Sequence, residues 1–70
     1  MKIVENPFSA LFDYIVNGVS NESEEAAAKE LEEKLNRIDR LGYNCAYVSI
    51  EIEDARKSVS EKYGVIITTT

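Results

Sequence analysis

The residues best equipped for chemistry lie together at 44–54, in NCAYVSIEIED. Cys45 is a thiol, and a thiol acts as a nucleophile once a base or a cation lowers its pKa. Its sequence neighbours Asn44 and Tyr47 do neither, so Cys45 is expected to be a small packed residue. Glu51, Glu53 and Asp54 are clustered carboxylates of the kind that hard cations need. No ligand-loop pattern surrounds them, and they are expected to form a solvated strand end with Asp54 capping the next helix.

The rest of the chain narrows the chemistry further. It has no histidine, which removes the commonest general base and metal ligand. One cysteine cannot make a zinc site within a single chain, nor an internal disulfide. Gly18, Gly42 and Gly64 stand apart at expected element ends, so there is no phosphate-binding glycine loop. No catalytic, cofactor or metal residue is assigned, and the chain is read as a non-enzyme.

Charge and length bound the partners. Thirteen acids against eight bases give a net charge of −5. Like charge repels a phosphate backbone, so direct nucleic-acid binding is not expected, whereas a partner protein with a basic surface is. Glu5, Pro7 and Asp13 interrupt the apolar N-terminal run, so neither a signal peptide nor a spanning helix is expected. With a single cysteine, a reducing, cytoplasmic compartment is the expectation. Seventy residues make one domain, 1–70, with a small core. A core of this size supplies about 3–5 kcal/mol at most, so such chains gain from a partner or from a second copy.

Periodicity then gives the elements. MKIVE at 1–5 reads as a short strand. Asn6–Pro7 reads as a helix start, followed by Phe8, Leu11, Phe12, Ile15 and Val19 on one helical face. The stretch 19–42, VSNESEEAAAKELEEKLNRIDRLG, holds the clearest helix, with Asn21 and Glu24 as a capping box, a stripe of Ala28, Leu31, Leu35, Ile38 and Leu41, and Gly42 as its stop. Its expected i,i+4 pairs are Glu25–Lys29, Glu30–Lys34 and Glu33–Arg37. In 44–54 the apolar set Ala46, Val48, Ile50 and Ile52 alternates with Cys45, Tyr47, Ser49, Glu51 and Glu53, which reads as a strand. A short helix with Ala55, Val59 and Tyr63 follows, and VIITTT closes the chain as a β-branched strand.

The expected architecture is a small α+β two-layer sandwich of order (β)ααβαβ. Its sheet has two or three strands packed by helices, with a parallel βαβ unit at the C-terminal end. Its outward sheet face would carry Cys45, Tyr47, Ser49, Glu51, Ile66 and Thr68, the candidate interaction surface. The expected function is a protein-binding module, an adaptor or inhibitor that occupies a partner's surface. Small size and acidity also resemble those of phage and mobile-element regulators that block host defence enzymes. Two alternatives stand beside it. One is a homo-oligomer joined through the C-terminal strand or the Tyr47 face. The other is a small-ligand sensor with a pocket between packed elements.

Overall fold

The computed structural model describes residues 1–8, 11–42 and 45–70, with the side chains of Cys45 and Ala46 outside the description. Its elements are β1 (Lys2–Val4), β2 (Tyr14–Asn17), α1 (Asn21–Leu41), α2 (Cys45–Tyr63) and β3 (Ile66–Thr69). The strands make one antiparallel sheet in the order β1-β2-β3, with β2 in the centre. The α+β class, the two layers and the strands near either end of the chain agree with the sequence. Two segments change type, and the order becomes ββααβ.

The first change is at 8–19. Asn6 does start a turn, since its Oδ1 accepts the Phe8 N–H at 2.9 Å, but among the described residues no helix follows before Asn21. Asn6 Nδ2 also donates to the Phe12 carbonyl, and Asp13 Oδ1 accepts the Asn6 N–H. These bonds tie Asn6 to Phe8, Phe12 and Asp13. Tyr14–Asn17 then becomes the central strand, a place that suits Tyr, Ile and Val. Tyr14 and Val16 point into the core and Ile15 points out.

The second change is at 44–54, where a helix replaces the expected strand. Val48, Ile52, Ala55 and Val59 are all buried, a spacing of 4, 3 and 4 that runs unbroken along α2. No glycine or proline interrupts 45–63. A strand would bury Ala46, Val48, Ile50 and Ile52 alike, yet Ile50 is exposed. Asp54 lies inside the helix and caps nothing. The parallel βαβ unit is therefore absent, and β3 pairs antiparallel with β2, with Val16 opposite Ile67.

α1 is where the sequence places it, with a different cap. Ser20 Oγ accepts the Ser23 N–H at 3.2 Å, while Ser23 Oγ accepts the Ser20 N–H at 3.4 Å. That capping box leaves Glu24 for another task. Gly42 ends α1 at φ 66° and Gly64 follows α2 at φ 64°, left-handed conformations that cost glycine least. The expected i,i+4 pairs give way to contacts off the helix, Glu25 with Lys2 at 3.3 Å and Glu30 with Lys62 at 2.7 Å.

α1 lies against β1 and β2, α2 against β3, and the helices lie against each other. Ala27, Leu31, Leu35 and Ile38 of α1 meet the α2 stripe and the inward residues Val4, Tyr14, Val16, Val65 and Ile67. Helices of 21 and 19 residues outreach strands of three or four, and Phe8 and Leu11 of the loop pack onto the same core.

Leu31 is fully buried, while Leu41, at the end of the same sequence stripe, is 61% exposed. Leu31→Ala should cost about 2–5 kcal/mol, as much as a core this small supplies, and leave the chain largely unfolded. Leu41→Ala should change stability by no more than about 0.5 kcal/mol. Urea unfolding of the two variants checks the contrast.

Candidate protein-binding surface

The structure separates the six candidate residues into two groups. Cys45 opens α2, and its side chain lies outside the description. Tyr47 and Ser49 are exposed on α2, and Glu51 is half-buried there. Ile66 and Thr68 stand on the outer face of β3, away from both helices. The expected common face for all six does not exist, because the segment carrying four of them is helical.

Glu51 belongs to a cleft between the helices, of about 290 Å³ and open to solvent. Lys34 and Arg37 form one wall, Glu51 and Asp54 the other, over Ile38 and Ala55. The two walls are oppositely charged and hydrated, and the volume sits at the lower limit of small-molecule sites. Glu53 faces elsewhere and chelates Arg56. Among the described residues no three His, Cys, Asp or Glu side chains gather as a metal site requires.

The outer face of the sheet is different in kind. Both helices lie on the other face, so among the described residues nothing covers this one. Ile3 and Ile66 are 60% and 67% exposed, Ile15 is half-buried between them, and Thr68 and Asn17 complete the face. The register places Ile3, Ile15 and Thr68 in one row across the strands, with Asn17 opposite Ile66 in the next. None of these five carries a charge, in a chain that is 30% charged. Exposed apolar faces of this sort mark interaction sites. The sequence reading found Ile66 and Thr68 but not Ile3 or Ile15. Ile15 falls on the helical spacing from Phe8 to Val19, although the β-branched pair Ile15–Val16 before Gly18 also fits a strand.

The two edges of the sheet are unlike. Thr70 N–H donates to the Asp13 carbonyl at 3.0 Å, directly opposite it in register. Opposed antiparallel residues alternate between hydrogen-bonded and unbonded pairs. Thr70, Thr68 and Ile66 therefore turn their backbone groups toward β2, while Thr69, Ile67 and Val65 turn theirs to the open edge. α2 occupies the outward carbonyls of Ile67 and Val65. Arg56 Nη1 donates to the Ile67 carbonyl at 2.9 Å, and Ser60 Oγ donates to the Val65 carbonyl at 2.6 Å. Glu53 holds the guanidinium in place; its hydrogen bonds raise the Arg56 pKa, and Arg56 in turn lowers that of Glu53. Burial raises the phenol pKa of nearby Tyr14, against the field of Arg56. The same alternation on β1 gives Lys2 and Val4 to β2 and leaves the Ile3 N–H and C=O on the open edge.

One buried carboxylate ties these parts together. Glu24 is 6% exposed, and its Oε1 accepts from the Met1 ammonium at 2.6 Å while Oε2 accepts the Gly18 N–H at 3.1 Å. The ammonium contact first, then the Gly18 N–H, holds its pKa below the ordinary carboxylate value. It joins α1 to the start of β1 and the end of β2. Glu30, which accepts from Lys62 Nζ and from Tyr63 Oη at 3.1 Å, ties the helices in the same way.

Among the described residues no helix is long and apolar enough to cross a membrane. Comparison of the chain with protein-family models, with curated proteins and with solved structures finds no match.

Two outcomes are expected. The lowered pKa of Glu24, Glu30 and Glu53 means that their contribution is complete above the unfolded carboxylate value, about 4.3, and is lost as pH falls through the folded values. With no histidine, stability should be flat through neutrality and fall in acid. Glu24→Gln should lower the melting temperature at pH 7 and shallow the acid decline; an unaltered decline would count against the Glu24 contacts. The double variant Arg56→Met, Ser60→Ala should self-associate more than the unaltered chain, because it frees the β3 carbonyls. Light scattering over a concentration series reads this, and equal association would show that these contacts do not guard the edge.

Proposed function

We propose that this chain is a non-enzymatic protein-binding module whose working surface is the open outer face of its sheet. The observation that carries the reading is that uncovered, uncharged face of Ile3, Ile15, Ile66, Asn17 and Thr68. Apolar residues held on a rigid sheet lose little freedom when a partner covers them. Burying one such isoleucine fully is worth about 1.5–3 kcal/mol. The net charge of −5 would favour a partner with basic groups around that contact and speed their encounter. Adaptor and inhibitor are the two roles open to such a module, since each needs only that a surface be occupied.

The face is preferred to the inter-helix cleft because hydrated charges line the cleft, while the sheet face carries no charge and only the Asn17 amide and the Thr68 hydroxyl to dehydrate. A second copy joined along β3 would have to displace Arg56 and Ser60 from the Ile67 and Val65 carbonyls.

Site-specific photo-crosslinking in the producing cell tests the reading. A photoreactive residue at position 66 should give a discrete protein adduct, and one at Glu33, on the exposed helix surface, should not. Equal labelling at both positions, or none at position 66, would contradict it.

A further inference from the structure

We infer that the partner supplies an extended segment, alternating basic and apolar side chains, that adds to the sheet as a fourth strand beside β1. The inference rests on the protein-binding reading and specifies what is bound. Three observations meet at this edge. The Ile3 N–H and C=O face outward by the register argument, whereas the outward carbonyls of Val65 and Ile67 on β3 are already taken. β1 is therefore the edge at which backbone pairing displaces neither of those contacts.

The second observation is the apolar outer face. A strand beside β1 places alternate side chains next to Ile3, continuing the row Ile3–Ile15–Thr68. Apolar residues are wanted at those positions.

The third is charge. The remaining side chains of an added strand point toward the helix layer, where α1 is nearest, because α1 covers β1 and β2. With 3.6 residues per turn, Glu25, Glu32 and Asp39 fall on one line at seven-residue steps, on the flank of α1 away from α2. All three are exposed. Lys2 offsets Glu25 at 3.3 Å, Lys29 lies one turn from Glu25 and Glu32 on the solvent side, and among the described residues neither Glu32 nor Asp39 forms an ion pair. Lys34 and Arg37 line the inter-helix cleft, on the opposite flank. The helix-facing positions of the added strand thus call for lysine or arginine. A second copy fits poorly, since a twofold pairing of β1 with β1 would set two acidic flanks side by side.

The probe is a capped peptide of alternating Lys and Val, eight residues long, with a Glu/Val peptide as control. Titration into isotope-labelled protein, followed by amide NMR, should shift Ile3 and its neighbours and protect the Ile3 N–H from exchange. The Glu/Val peptide should bind at least about tenfold more weakly. Ile3→Pro removes an N–H that no strand uses and should abolish binding with the circular dichroism unchanged. Glu32→Lys with Asp39→Lys changes only exposed positions, and should weaken Lys/Val binding about tenfold. Shifts at Ile15 and Ile66 without protection of Ile3 would overturn strand addition while leaving a protein-binding face. No shift at millimolar peptide, equal binding of the two peptides, or a dimer that protects Ile3 without peptide would each overturn the inference.

Discussion

Each helix has one narrow apolar stripe, and a stripe can be buried only once. Ala27, Leu31, Leu35 and Ile38 on α1 and Val48, Ile52, Ala55 and Val59 on α2 are spent on a common core with the inward face of the sheet. Among the described residues no third helix lies on the opposite face. The uncovered isoleucines Ile3, Ile15 and Ile66 follow from that shortage. In a larger domain such residues would be core; here they form a surface.

The edges show how the same fold treats the liability of unpaired strands. The i,i+4 pair Arg56 and Ser60 stands along the rim of α2 and satisfies successive outward carbonyls of β3. Among the described residues β1 has no corresponding guard, although Lys2 and Glu25 flank it. This asymmetry separates a partly guarded edge from an open one within a sheet of three strands. It also turns an acidic composition into a directed property. On α1 the bases Lys34 and Arg37 face the inter-helix cleft, and the line Glu25, Glu32, Asp39 is left on the β1 side.

Much of the architecture was legible in the sequence, and the failures have physical causes. α1 was readable because cap, stripe and terminal glycine agree on one element. β3 was readable because six residues without a charge, all of them β-branched, suit little else. The segment 44–54 misled because Val48 and Ile52 fit both periods, two and 3.6. The spacing that decides is the continuation through Ala55 and Val59, with no breaker between. Ile15 misled in the opposite direction, since a helical spacing from Phe8 to Val19 masked a four-residue strand whose pairing partners lie far away in sequence. The binding face was half visible for that reason. Ile66 and Thr68 lie on a well-marked strand, whereas Ile3 and Ile15 become their neighbours only through the antiparallel register.

The account depends most on that register and on the open β1 edge it creates. Amide hydrogen exchange of the free protein at low concentration tests both, residue by residue. The account predicts slow exchange at Val4, Ile15 and Thr68, whose N–H groups bond within the sheet, and fast exchange at Ile3 between its slower neighbours. Protection of Ile3 equal to that of Val4 would contradict it, because the edge would then already be paired or the register would differ by one residue.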